Sequence, residues 1–271
     1  MKVVLFCGGA PLRLTEHDRP VPKPMVMIGY RPVLWHVMRW YAHWGMRDFV
    51  LCLGYGGDLI KRYFLDYSEA LSNDFVLSAG TGDVRLLQAD IRDWTITFAD
   101  TGVNATISQR LRAVREHVRG EEIFCANYGD IVSDASMEAI VDDFRRHPDK
   151  VASFMAVRQR GPFHVVEQAE DGSVTLLRDV SSSDVWIDNG FFVLRQEIFD
   201  YIQAGDGDLP DEPFQRLLAE NKLTSFRHDG FWIPMNTLRD VQELVALEES
   251  GQAPWAVWRR EADGAKAAAE S

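Results

Sequence analysis

Lys2-Val3-Val4-Leu5-Phe6-Cys7-Gly8-Gly9 is an apolar run that stops at two glycines. An unbroken apolar run reads as a strand covered on both faces. The glycines read as a turn where backbone N–H groups approach an anion with no Cβ in the way. The same kind of run returns at Asp48 to Tyr55 (DFVLCLGY) and at Glu122 to Tyr128 (EIFCANY). Helical spacing lies between these runs. Residues 33–44 carry Leu34, Val37, Met38 and Tyr41 on one face, with Gly45 as the stop. Residues 58–67 carry Leu59, Ile60, Tyr63, Phe64 and Tyr67. The spacing also predicts a short helix over 110–118, a long one over 134–147 with Asp134 as N-cap, and a strand over 150–157. A strand–helix alternation of this kind predicts an α/β protein with a mostly parallel sheet flanked by helices.

The second half changes character. Short strands are expected at 163–168, 173–178 and 186–194, joined by turns such as Asp171-Gly172, forming an antiparallel insertion. Helices are expected at 195–203, 211–220 and 237–249. The simplest organisation is a single domain over 1–258, with a first half (1–158), a β-rich second half (159–258) and a tail (259–271) whose last eight residues are expected to fray.

The chain has 271 residues, enough for a full core, with 46% hydrophobic and 26% charged residues. Its 29 basic and 41 acidic side chains give a formal charge of −12, which argues against a nucleic-acid partner. A small anionic substrate needs only a few local cations and stays open. Cys7, Cys52 and Cys125 share no C-x-x-C spacing and each falls in an expected strand, so they read as buried thiols in a reducing, cytoplasmic compartment. No apolar run reaches the ~18 residues of a membrane span, and the N-terminal run is too short for a signal sequence.

Ligands of open α/β sheets bind beyond the carboxyl ends of the strands. Two such ends carry chemistry. After Gly8-Gly9 come Arg13, which can fork onto phosphate oxygens, and Lys23, whose backbone is stiffened by Pro22 and Pro24. The segment is neither a P-loop nor a G-x-G-x-x-G fingerprint. The second end is Tyr128-Gly129-Asp130, where a lone carboxylate either anchors Mg²⁺ or only shapes the turn. Together these groups suit phosphoryl-type transfer, which needs alignment and charge neutralisation.

KVVLFCGG, Arg13-Leu14, PKPMVMIGYRPVLWHVM, FVLCLGY, Asp100-Thr101-Gly102 with Arg110-Leu111, YGD, WIDNGFFVL, GFWIPMNTLRD and APW carry a resemblance over nearly the whole chain. The chain resembles the sugar-1-phosphate nucleotidylyltransferases and, within them, the glucose-1-phosphate cytidylyltransferases. The resemblance implies a Rossmann-like mixed sheet of the nucleotide-diphospho-sugar transferase type, with a small β-rich second half. It implies attack of a sugar 1-phosphate on the α-phosphate of a nucleoside triphosphate, with CTP and glucose 1-phosphate favoured. It further implies that 1–158 is the nucleotide-binding half and 159–258 the sugar-binding half, that Phe6, Gly8, Gly9, Ala10, Arg13 and Lys23 hold the triphosphate, Arg110 lies near base or ribose, Gly129 contacts substrate, Asp130 binds Mg²⁺, and Asn189 and Gly190 face the sugar. Arg13, Lys23 and Asp130 are the implied catalytic groups, Mg²⁺ the cofactor, and a homo-oligomer the expected assembly.

Three departures from the family pattern fall on phosphate- or metal-handling positions. Pro11 and Leu12 stand where the loop carries glycine and threonine. Asp179-Val180-Ser181 replaces Glu-Lys-Pro, so Arg178, on the same strand face as Val180 if the strand continues, is the candidate substitute for the lost lysine. Asn236 replaces the second metal carboxylate. The alternative expectation is therefore a catalytically degenerate homologue that binds nucleotide or nucleotide sugar, or serves as a partner subunit. Among other residues, Trp35, Trp40 and Trp44 are expected in core or subunit contacts, His36 and His43 at the surface, Asp142 and Asp143 on a solvated helix face, and His164 near the sugar.

Overall fold

The computed structural model describes residues 1–9, 21–159 and 163–259. Seven strands form one sheet: β1 (Lys2–Phe6), β2 (Asp48–Leu53), β3 (Thr95–Asp100), β4 (Ile123–Tyr128), β5 (Ala152–Arg158), β6 (Trp186–Arg195) and β7 (Leu223–His228). Their order is β7-β5-β6-β4-β1-β2-β3. Only β6 opposes its neighbours, running antiparallel to β5 and β4. All other pairs are parallel. Among the described residues the helices of seven or more residues are α1 (Val33–His43), α2 (Gly57–Leu65), α3 (Ile107–Ala113), α4 (Met137–Arg145), α5 (Glu212–Ala219) and α6 (Leu238–Glu249).

The central strands are apolar throughout because both faces are covered. Strand parity divides β1 between two cores. Val3, Leu5 and Cys7 pack with Leu34, Met38 and Tyr41 of α1, Phe144 of α4 and Leu244 of α6. Val4 and Phe6 pack on the other side with Leu111 of α3 and Phe214 and Leu217 of α5. The helix α1 ends as its sequence requires, with Gly45 at φ +80 behind the Trp44 cap. The three cysteines are buried and free. Among the described residues no helix is long and apolar enough to cross a membrane.

Several expectations need correction. Trp186–Arg195 is not part of a peripheral insertion; it lies inside the main sheet, and only His164–Gln168 and Val174–Asp179 pair as a separate hairpin. Asp134 caps no helix. Ser136 caps α4, and Asp134 instead accepts from the Phe231 amide (2.8 Å) and pairs with His228 (2.9 Å). The expected helix over 195–203 is reduced to Ile198–Tyr201, and the one over 110–118 starts earlier, at Ile107, and passes into a 3-10 turn at Arg115. Trp35 and Trp40 are core residues, as expected. His43 is half-buried, edge-on to Trp44 at 4.8 Å.

His36 is the clearest reversal, since it is 1% exposed. The Trp255 indole, a donor only, gives its N–H to His36 Nδ1 (3.2 Å), so Nε2 carries the ring proton and donates to the Ile28 carbonyl (3.1 Å). Burial pushes the His36 pKa down to about 4. The unfolded chain takes up this proton near 6.5, so the His36 contribution is complete above that pH and is lost as pH falls toward about 4, by on the order of 3 kcal/mol. Urea denaturation of His36→Gln should show a flatter dependence of stability on pH between 6.5 and 4. An unchanged slope would contradict the buried neutral ring.

Candidate active site

Chain order rises rightward from β1 to β2 and β3, then returns to the other side of β1 for β4. The crevice outside the carboxyl ends of β1 and β4 is thus a topological switch point. A cavity of about 740 Å³ opens there, within the range of small-molecule sites. Its lining includes Phe6, Gly8, Gly9, Lys23, Thr106, Arg110, Tyr128, Asp130, Asp208 and Asn236.

One wall is built around Arg110, 2% exposed. Its Nη1 donates to the Leu53 carbonyl (3.2 Å) and Thr101 Oγ1 (2.8 Å). Its Nη2 donates to the Gly8 (2.8 Å) and Val103 (3.3 Å) carbonyls. All four Nη hydrogens are therefore used by the fold. The Gly8 and Gly54 requirements follow. A Cβ on Gly8 would lie 2.2 Å from Arg110 Nη1, and one on Gly54 would lie 2.7 Å from the Gly8 carbonyl oxygen. Burial lowers the Arg110 pKa from its ordinary value, and nothing in that direction removes its charge at neutral pH.

The opposite wall brings together residues more than a hundred positions apart. Lys23 begins a 3-10 turn, Lys23–Met25, anchored by buried Pro24 and by Pro22 packed over Gly56. Ile131–Ser133 pairs antiparallel with Trp232–Pro234, and the Met235 amide donates to the Asp130 carbonyl (2.9 Å). That ribbon sets Asp130 beside Asn236. Lys23 Nζ donates to Asn236 Oδ1 (2.8 Å) and lies 3.8 Å from Asp130 Oδ2. Burial pushes the Asp130 carboxyl up to about 6, with the Lys23 ammonium opposing the rise.

Phe6, Gly8, Gly9, Lys23, Arg110, Asp130 and Asn236 thus line one cavity. Gly129 packs over Cys7 Sγ just behind it and donates to the Phe6 carbonyl (3.1 Å). Asn189 is buried, its Oδ1 accepting from the Phe191 amide (3.3 Å). Gly190, at φ +85, lies against the Tyr128 ring, which a Cβ would meet at 2.2 Å. Ala10, Pro11, Leu12 and Arg13 lie outside the described residues, as do 260–271 of the expected tail. Arg178 and Val180 do not share a face: the strand ends at Asp179, Val180 turns inward and Arg178 stays exposed. His164 is exposed. Sequence reasoning missed Asp208 on the cavity wall and Asp188, which accepts from the Gly190 amide (2.8 Å). Burial raises both carboxyls, Asp188 to about 6. The strand alternation around Gly190 was the available signal for Asp188; Asp208 sits in a loop and had none.

No family model matches the chain. A probable glucose-1-phosphate cytidylyltransferase of Bacillus subtilis is 35% identical over 259 residues, 95% of this chain and 100% of the relative. The glucose-1-phosphate cytidylyltransferase of Salmonella typhi is 36% identical over the same extent. The chain belongs to the glucose-1-phosphate cytidylyltransferase family. Solved structures agree on the fold. HddC from Yersinia pseudotuberculosis, complexed with GMP-PN, matches at a TM-score of 0.61 and 15% identity, covering 90% of this chain and 98% of its own. A putative glucose-1-phosphate thymidylyltransferase from Bacillus anthracis matches at 0.63 and 16%, covering 91% and 94%. The mixed, helix-flanked sheet is that of the nucleotide-diphospho-sugar transferases.

In this family member Arg110 ties the ends of β1, β2 and β3 together before any ligand arrives. Arg110→Met should strip the Gly8 and Val103 carbonyls of this donor, while the Leu53 carbonyl keeps the Thr101 amide and hydroxyl, and should lower stability by about 3 kcal/mol in urea denaturation. A loss below about 1 kcal/mol would show that the clamp contributes no more than one ordinary hydrogen bond.

Proposed function

We propose that this chain transfers a cytidylyl group from CTP to glucose 1-phosphate, giving CDP-glucose and pyrophosphate. The observation that carries the reading is whole-length likeness to two glucose-1-phosphate cytidylyltransferases, joined to a cavity at the switch point with Lys23 and Asp130 at one end. In the reaction a phosphate oxygen of the sugar phosphate bonds to the α-phosphorus, and the bond from that phosphorus to the bridging β-phosphate oxygen breaks. Pyrophosphate leaves with the electron pair.

The chain's contribution is alignment and charge. Gly8 and Gly9 leave backbone within reach of phosphate, Lys23 meets the triphosphate as a point charge, and Arg110 supplies positive potential from the wall. Asp130 turns a carboxylate, 14% exposed, toward the cavity. Among the described residues no group of three or more His, Cys, Asp or Glu gathers for a metal. One carboxylate completed by phosphates and waters is nevertheless a usual Mg²⁺ donor set, so the residues present fit that ion. When bound there, Mg²⁺ would neutralise charge on the phosphates. Self-association belongs to the same proposal, supported by the exposed Leu77, Val84 and Leu87 on and beside the hairpin over 75–86.

Incubation with CTP, glucose 1-phosphate, Mg²⁺ and pyrophosphatase should release phosphate and yield CDP-glucose, with UTP and dTTP turned over more slowly. Lys23→Met and Asp130→Asn should each lower kcat by about 10²–10³. The neutral Asn236 favours one second reading, a homologue that binds nucleotide without turnover. CTP binding in calorimetry with no product over a panel of sugar phosphates would select it.

A further inference from the structure

We propose that in the nucleotide-free protein Asn236 is a positioning residue for Lys23, not a metal ligand, and that the divalent cation therefore enters only as its complex with the triphosphate. This rests on the nucleotidyl-transfer reading above.

The geometry is specific about which atom does what. Lysine is a donor only, so the Asn236 amide must present its oxygen to Lys23, as it does at 2.8 Å. That hydrogen bond sets a positive ammonium against the oxygen a cation would use. The ammonium also stands 3.8 Å from Asp130 Oδ2. Lys23 thus fills the space between the two oxygen donors where a hard cation would bind. Among the described side chains the Lys23 ammonium stands between the Asp130 carboxylate and the neutral Asn236 amide, while the nearby Asp240 carboxylate is taken by the Asn236 and Thr237 amides (3.1 and 2.7 Å), so a free dication would have to displace Lys23.

The placement is not a chance of flexible side chains. Pro22 and Pro24 fix the Lys23 turn, and the pairing of Ile131 with Pro234 plus the Met235-to-Asp130 backbone bond fix Asn236 beside Asp130. Arrival of the triphosphate changes the balance. Its oxygens offer Lys23 charged acceptors in place of a neutral one, and they bring the cation's remaining ligands. Asn236 then serves as the resting acceptor that keeps Lys23 extended toward the cavity. This lowers the conformational entropy lost when phosphate binds.

Mn²⁺ is the probe, followed by the electron spin resonance of the free ion. Wild type without nucleotide should show no saturable uptake up to about 1 mM, whereas with CTP one ion should bind per chain. Asn236→Asp, which supplies a second carboxylate, should bind Mn²⁺ without nucleotide at least about tenfold more tightly than wild type. A second measurement separates positioning from ligation. CTP binding in EDTA, where no metal is present, should weaken about tenfold in Asn236→Ala. Asn236 is exposed, so the variants should fold, which circular dichroism checks. Micromolar Mn²⁺ binding by the nucleotide-free wild type, or unchanged metal-free CTP affinity in Asn236→Ala, would overturn the proposal. Wild type that binds no CTP with or without Mn²⁺ would instead remove the transferase reading beneath it.

Discussion

The buried guanidinium of Arg110 is the constraint on which the rest of the site depends. A charge out of water is tolerable only when its hydrogen-bonding capacity is met. Here four acceptors meet it, drawn from the turns after β1, β2 and β3. The guanidinium therefore sets the spacing of three strand ends at once; glycine at position 8 is a consequence of its size, and glycine at 54 of the close approach of the Gly8 backbone. Its described partners are three carbonyls and one hydroxyl, not a carboxylate, so its positive charge is dispersed but not cancelled. A chain of formal charge −12 thereby keeps a positive wall where an anion must bind.

How much could be read in advance follows from burial. β1, β2 and β4 are covered on both faces and appear in the sequence as continuous apolar runs. The edge strands β3 and β7 are half-buried, mixing Thr and Ser with apolar residues, and were not recognised. β6 was recognised as a strand but placed outside the main sheet, because antiparallel insertion between β5 and β4 is decided by partners about thirty to seventy positions away rather than by local pattern. His36 and Asp134 were misread for a related reason. Each has a plausible local role, at a helix surface or a cap, and each is claimed instead by a distant partner, Trp255 or the Phe231–His228 turn.

At the site, Lys23 and Asp130 were legible because their surroundings are local: a lysine framed by prolines, and a carboxylate just past a core strand. Arg110 was singled out only through the resemblance; it does line the cavity, but its partners were not foreseen, since hydrogen bonds to backbone carbonyls leave no mark in side-chain identity. Asp208 was invisible because no periodicity governs a loop.

The neutral residue at 236 acquires meaning only through the ribbon that delivers it. Ile131, Val132 and Ser133 pair with Pro234, Ile233 and Trp232, and side chains along such a pairing alternate between faces. Every side chain of Ile131–Ser133 is buried, so a slip of one residue would exchange its two packed faces and carry Asn236 away from Lys23. The apolar residues of two short strands, about a hundred positions apart, therefore encode a charge geometry they do not themselves bear. In that geometry one ammonium stands between the Asp130 carboxylate and a neutral amide oxygen, and the Asp240 carboxylate, tied to the Asn236 and Thr237 amides, holds the amide in place.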